Sequence, residues 1–235
     1  MKQALVTGGG SGIGRETSLA LAEAGFRVGV LGRRLSPLNE TVAAIQAKGG
    51  QAWAQAVDVR DAASIQAAVQ VAIAQSGHLD LLINNAGIFK LRPFAQTDRA
   101  LWDETLETNL TGVYLMTQAA WPYLEGGQVI NVSSVAGVQP YAGCAAYSAS
   151  KYGLIGLSEV LALEGKPRRI RVHVICPGNT ETPIWQNQAP DAVQKRMIRP
   201  QQIAEVIRWL ALSPDNLAFD RLVVRPFADP WAKSV

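Results

Sequence analysis

The sequence predicts a three-layer α/β fold, doubly wound around a mostly parallel sheet of seven strands, and three observations carry that prediction. Short runs rich in Val, Ile and Leu alternate with longer stretches of helical periodicity, the pattern of a parallel sheet covered on both faces. Of the 235 residues 48% are hydrophobic and 17% charged, which suits a sizeable core and excludes a disordered chain. No Pro/Gly/Ser-rich linker, low-complexity tract or internal repeat interrupts the alternation, so one domain over residues 1–235 is expected.

In chain order the predicted strands are Ala4 to Thr7, Arg27 to Leu31, Ala52 to Val57, Leu79 to Asn84, Gln128 to Val132, Arg171 to Ile175 and Arg221 to Val224. Helical periodicity falls at Ile13 to Ala24, Pro37 to Lys48, Ala62 to Gln75, Ala100 to Leu124, Cys144 to Glu164 and Gln201 to Ala211. Strand-helix-strand crossovers of this kind are right-handed, and two mononucleotide-binding halves so joined make a Rossmann-type fold with ligands beyond the carboxyl ends of the strands. Residues 179–200 break the rhythm with prolines and mixed polarity, as an irregular loop over the substrate edge would.

Charge and composition narrow the function classes. The net charge of +3 comes from small groups far apart in sequence (Arg33-Arg34, Lys166 to Arg171, Lys195 to Arg199), so no nucleic-acid partner is expected. The two cysteines, Cys144 and Cys176, and the two histidines, His78 and His173, fall in no metal-ligand spacing, and no metal is expected. No stretch has the roughly 18 apolar residues of a membrane span, and the chain opens directly into a strand, so a cytoplasmic location is expected.

After the first strand comes Thr7-Gly8-Gly9-Gly10-Ser11-Gly12-Ile13-Gly14, opening into a helix. Glycines let the backbone turn tightly and approach a pyrophosphate, and the positive helix start attracts the anion. The GKS/T ending of a P-loop is absent, and the spacing is not GxGxxG. About 20 residues on, where an NAD site places a carboxylate for the ribose 2'-hydroxyl, stand Arg33 and Arg34. An arginine can grip a 2'-phosphate that a carboxylate would repel, so NADP(H) is favoured over NAD(H); the alternative is that both arginines merely begin a surface loop.

Tyr147 and Lys151 lie four residues apart at the start of a predicted helix and so share a face. A free tyrosine ionises near pH 10, so work as acid and base near neutrality requires about three units of depression, or ~4 kcal/mol of phenolate stabilisation. A neighbouring ammonium supplies part of it, and an oxidised nicotinamide would supply more. Thirteen positions before Tyr147, at the end of the fifth strand, Ser134 can donate to a substrate oxygen and stabilise developing negative charge.

Taken together, TGxxxGxG at residues 7–14, Asn84-Asn85-Ala86-Gly87, Asn109, the paired serines Ser133 and Ser134, Tyr147-Ser148-Ala149-Ser150-Lys151 and Pro177-Gly178 resemble the short-chain dehydrogenase/reductase family in order and spacing. The resemblance runs strongly from Ala4 to Thr182. It implies an oxidoreductase moving a hydride between a nicotinamide and a small carbonyl or alcohol, with Asn109, Ser134, Tyr147 and Lys151 catalytic. Asn109 would support a water-mediated proton path through Lys151. The cofactor residues it implies are Gly8, Ser11, Gly12, Ile13 and Gly14 at the phosphates, Arg33 and Arg34 at the ribose, and Asp58 and Val59 at the adenine. Asn85, Ala86, Gly87, Tyr147, Lys151, Pro177, Gly178 and Thr182 complete the set. The family also implies a homodimer or homotetramer.

Phe89, Leu91, Gln139, Tyr141, Cys144, Asn179 and Trp185 follow strand-end motifs or lie in the proposed lid, and are the expected substrate lining. Instead of the family's Asp-Gly-Gly turn the last strand ends in Val224-Arg225-Pro226-Phe227, which puts its usual C-terminal subunit contact in doubt. A nucleotide-sensing protein without chemistry is the alternative, and the intact catalytic set argues against it. A sugar-nucleotide epimerase would need a larger C-terminal substrate domain than the roughly fifty residues after Gly178 provide.

Overall fold

The computed structural model describes residues 1–74 and 76–231. Seven strands, β1 (Gln3–Thr7), β2 (Arg27–Gly32), β3 (Gln51–Ala56), β4 (Leu81–Asn84), β5 (Gln128–Val132), β6 (Arg171–Pro177) and β7 (Leu222–Val224), form one sheet in the order β3-β2-β1-β4-β5-β6-β7. Every pairing is parallel, so the sheet is wholly rather than mostly parallel. The strand order reverses between β1 and β4, and a Rossmann-type sheet binds its ligand in that crevice.

The helices are α1 (Gly12–Glu23), α2 (Leu35–Ala47), α3 (Ala62–Ile73), α4 (Arg99–Leu106), α5 (Gly112–Ala120), α6 (Ala145–Gly165), α7 (Asp191–Gln194) and α8 (Pro200–Ala211). Strand side chains alternate between two cores. Val6, Val28 and Val30 pack with Leu21, Ile203 and Ile207 on the α1–α8 face. Leu5, Leu82 and Val129 pack with Ile65, Val69 and Met116 on the α3–α5 face. Between the layers, Asn84 Nδ2 donates to Thr117 Oγ1 and to Asn131 Oδ1, each at 2.9 Å, and Asn131 Nδ2 donates to Ser158 Oγ at 2.8 Å. This buried polar chain fixes the ends of β4 and β5 against α5 and α6.

Two elements differ from expectation. The helix expected from Ala100 to Leu124 is broken: α4 runs into a π-helical turn, Glu107–Thr111, before α5, and a 3-10 turn containing Pro122 ends it. The wider turn carries Asn109, fully buried, toward a backbone segment 21 residues earlier. Proline removes a backbone donor, so the helix does not continue regularly past Pro122. The expected irregular stretch 179–200 holds a 3-10 turn, Pro183–Trp185, the short α7 and a bridge between Thr180 and Ile198. The predicted end of the third helix, Gln75, lies outside the described residues.

Candidate active site

The turn between β1 and α1 depends on missing side chains. Gly8 and Gly12 have φ of +68° and +51°, and a Cβ on Gly14 would run into the Gly8 carbonyl and Asn85 Nδ2. Ser11 precedes α1 without its side chain capping the helix, so the positive helix end faces outward unquenched. Thr7 Oγ1 receives the Asn85 and Ala86 amides at 3.0 Å each, and Asn85 Nδ2 donates to the Thr7 carbonyl at 2.9 Å. The Asn85 side chain thus stitches β4 to the glycine turn, while Ala86 and Gly87 face the cleft. Thr182 closes over the other side of the turn: a Cβ on Gly12 would lie 3.0 Å from its methyl carbon.

From this turn a cleft extends across the carboxyl ends of β2 and β3. Thr7, Gly8, Gly10 and Ser11 line one end; Arg33, Arg34, Asp58, Val59 and Arg60 line the other. Arg33 and Arg34 are exposed and, among the described residues, make no ion pair. Asp58 is held by Arg60, whose Nη2 donates to Oδ2 at 2.6 Å and whose Nε donates to Oδ1 at 3.0 Å. That hydrogen-bonded guanidinium holds the Asp58 carboxyl down at about 2. A side-chain-free turn at a helix start, leading to a basic end, fits a phosphorylated dinucleotide. Gly12, Ile13, Gly14, Asn85, Thr182, Pro177 and Gly178 stand beside this cleft or beyond it rather than in its lining, and Gly10, Arg60, Ile88 and Thr108 join it unanticipated.

Beside Gly87, which lines the cleft, β5 and α6 bring the expected catalytic residues together. Ser134 Oγ receives the Ala136 amide at 3.1 Å, and its hydroxyl tends to lower the pKa of the Tyr147 phenol. Ser133 Oγ donates to the Lys151 carbonyl at 3.0 Å, tying α6 to the strand end. Lys151 is 4% exposed; its Nζ donates to the Val132 carbonyl at 2.9 Å and stands 5.8 Å from the centre of the Tyr147 ring. Asn109 grips Ile88 through both backbone groups, receiving the amide at 2.8 Å and donating to the carbonyl at 2.9 Å, and donates to Ser150 Oγ at 3.2 Å. Both Asn109 Oδ1 and Lys151 Nζ face Gly87, where a Cβ would lie 3.2 and 3.7 Å from them.

Burial dominates the electrostatics of this group. Burial pushes the Tyr147 phenol up to about 12, against the lowering effect of the Ser134 hydrogen bond. Burial likewise pushes the Lys151 ammonium down to about 8. The chain alone therefore does not depress the phenol, because burial disfavours its charged form. Tyr147 rests neutral.

On the substrate side, Phe89 meets Tyr147 edge-on with ring centres 4.8 Å apart, and Trp185 packs on Phe89 at 5.2 Å. Leu91 lies against Gly143; Cys144 is buried; Gln139 bonds the exposed Tyr141; the Asn179 carbonyl receives the Ile198 amide. Sequence reasoning missed Gln188, which donates to the Phe89 and Ile184 carbonyls and receives the Leu91 amide at 2.8 Å. The chain end closes in as well: Gly178 donates to the Val224 carbonyl, and Trp231 lies 6.2 Å from Trp185.

Residues 2–192 match the family model described as short chain dehydrogenase. The chain is 42% identical over 188 residues to a Streptomyces virginiae protein named for the ketoacyl reductase of the monensin polyketide synthase, covering 78% of this chain and 72% of that one. It is 36% identical over 222 residues to D-threitol dehydrogenase of Mycolicibacterium smegmatis, covering 89% and 85%. Among solved structures, a dehydrogenase/reductase of Sinorhizobium meliloti superposes with a TM-score of 0.90 at 31% identity, covering 98% of this chain and 95% of that one.

Proposed function

The chain belongs to the short-chain dehydrogenase family, and from that premise we propose that it is an NADP(H)-dependent reductase of small carbonyl compounds, 3-oxoacyl thioesters foremost. The family acts on CH–OH and C=O groups with a nicotinamide cofactor, which supplies the hydride when bound. Gly8, Ser11, Gly12, Ile13 and Gly14 would hold its phosphates; Arg33 and Arg34 its 2'-phosphate; Asp58 and Val59 its adenine. Asn85, Ala86, Gly87, Pro177, Gly178 and Thr182 would shape the nicotinamide end.

One observation carries the reading: the ends of β5 and α6 set Ser134, Tyr147 and Lys151 beside one another, with Lys151 Nζ 5.8 Å from the centre of the Tyr147 ring. A carbonyl oxygen placed between the two hydroxyls would be oriented by Ser134 and protonated by Tyr147, so developing charge is met by donors already in position. Lys151, still an ammonium near neutral pH, favours the phenolate that Tyr147 becomes after giving up its proton. Asn109 holds the Ile88 backbone beside them.

The ketoacyl reductase name of one relative supports thioesters, and the threitol dehydrogenase of another keeps small polyols in the same test. With acetoacetyl thioester as substrate, efficiency with NADPH should exceed that with NADH at least tenfold. Equal or better efficiency with NADH overturns the cofactor, and absence of turnover across thioesters, ketones and aldehydes overturns the substrate class.

A homodimer is part of the same proposal. Tyr152, Val160 and Leu163 lie exposed along one side of α6, and Tyr114 is exposed on α5. A second copy of the chain packing there would cover them. Two free, buried cysteines, Cys144 and Cys176, suit a reducing cytoplasm.

A further inference from the structure

Four aromatic rings run in contact from the Tyr147 ring to the surface. Phe89 meets Tyr147 at 4.8 Å between ring centres, Trp185 meets Phe89 at 5.2 Å, and Trp231 meets Trp185 at 6.2 Å with the planes 60° apart. All three separations lie in the range where tilted ring pairs attract. Outward from Phe89 burial falls off: Phe89 is buried, Trp185 half-buried and Trp231 46% exposed.

The residues before Trp231 are laid down so as to make the last of these contacts. The Val224 carbonyl, at the end of β7, receives the Gly178 amide at 2.7 Å. Arg225 and Pro226 then cross so close over Gly178 that a Cβ there would lie 2.9 Å from Pro226 Cδ, and only bare backbone leaves them room. Pro230 is buried, and the Trp231 amide donates to Asp229 Oδ1 at 3.0 Å, which closes a local turn. Phe227, another large apolar side chain of this segment, is wholly exposed and has no ring partner among the described residues. The segment thus brings Trp231, and not Phe227, to the Pro183–Trp185 turn.

That turn has few other supports. Pro183, Gln186 and Asn187 are exposed, and the ring contacts of Trp185 among the described residues are those with Phe89 and Trp231. Gln188 ties the turn to the Phe89 carbonyl, and Trp231 is its second hold.

We propose that Trp231 is a positioning residue that acts through Trp185: it fixes the outer end of an aromatic wall and so directs the site toward substrates with an extended apolar chain beyond the reacting carbonyl. This rests on the reductase reading above and deepens it by naming the apolar arm of the substrate. A carbonyl held at Ser134 and Tyr147 lies next to Phe89, and a chain leaving it along the rings loses contact with water carbon by carbon. Full burial of one methylene is worth about fourfold in affinity. An unsupported outer ring returns less of that gain, because the substrate must order the ring as it binds.

The test compares acetoacetyl thioester with 3-oxooctanoyl thioester, which is four carbons longer, under saturating NADPH. The ratio of their kcat/KM values cancels the fraction of active protein, so a variant that merely folds less well does not move it. The parent should prefer the longer substrate by about tenfold or more, the difference lying in KM. Trp231→Ala should lower that preference about threefold to tenfold, Trp231→Phe should recover most of it, and Phe227→Ala should leave it unchanged. A second readout needs no turnover: the Trp185 amide, bonded to the Thr182 carbonyl at 3.1 Å, should exchange its hydrogen about threefold faster or more in Trp231→Ala.

An unchanged preference in Trp231→Ala overturns the proposal even where exchange quickens, because Trp231 would then steady the turn with no bearing on substrate. A lowered preference with unchanged exchange also overturns it, since Trp231 would then touch the substrate directly. So does an equal loss in Phe227→Ala, or a parent with no preference for the longer chain. If the parent turns over neither thioester, the reductase reading falls and takes this inference with it, so the two failures are told apart.

Discussion

Lys151 aims its ammonium at the carbonyl of Val132, 2.9 Å away, while its distance to the centre of the Tyr147 ring is 5.8 Å. The charge is buried against a single strand-end carbonyl, and desolvation lowers its pKa from 10.5 to about 8. Between these two values the unfolded chain binds more protons than the folded one, so stability rises with pH across that window. Lys151→Met removes the titrating group. From pH 7.5 to 9.5 the parent should gain about 2 kcal/mol relative to Lys151→Met, read from urea unfolding at each pH. Parallel curves for the two proteins would show that Lys151 does not carry this desolvation cost.

Tyr147→Phe removes the hydroxyl proposed as proton donor while leaving the aromatic contact with Phe89. Loss of a positioned general acid costs about 10²- to 10⁴-fold in rate. Turnover of acetoacetyl thioester should fall by at least about a thousandfold. The dissociation constant for adenosine 2',5'-bisphosphate should stay within about twofold, because that probe reaches only the glycine turn and the arginine end. Turnover within about tenfold of the parent would remove Tyr147 from the chemistry.

How much of this was readable beforehand depends on how local each cause is. The glycine turn is local: the need for bare backbone at Gly8, Gly12 and Gly14 is written into its spacing. The placing of Leu5 and Val6 on opposite faces of β1 follows from a period of two. The π-helical turn was not readable, because it forms where Asn109 reaches back 21 residues to Ile88. Gln188 looks like any loop glutamine until the fold sets it beside Phe89, 99 residues away. The upward shift of the Tyr147 phenol depends on burial, a property of the assembled layers rather than of the four-residue spacing to Lys151.

Asn109 satisfies both backbone groups of Ile88 from a fully buried position. Asn109→Ala leaves an amide and a carbonyl unpaired, each costing about 1–3 kcal/mol when buried. A loss of about 3 kcal/mol in denaturant unfolding is expected, with faster hydrogen exchange at the Ile88 amide. A loss under about 1 kcal/mol would mean that the turn repairs these bonds by relaxing toward ordinary α-helix.

Gln188 sets the cost of closing the substrate side. Its side chain bridges the Phe89 carbonyl and the Leu91 amide to the Ile184 carbonyl, so it joins the Pro183–Trp185 turn to the segment after β4. Phe89 and Trp185 meet across that junction. In Gln188→Ala the two segments lose three hydrogen bonds and must be ordered by the substrate itself, which draws on binding energy. An ordering cost of about 1–2 kcal/mol corresponds to a rise in KM of about 5- to 30-fold. The rate at saturation should hold, because Ser134 and Tyr147 are placed by β5 and α6 and owe nothing to the lid. A fall in kcat at unchanged KM would reverse this assignment: Gln188 would then hold the reacting geometry through Phe89 and its edge contact with Tyr147, rather than the wall against which the substrate rests.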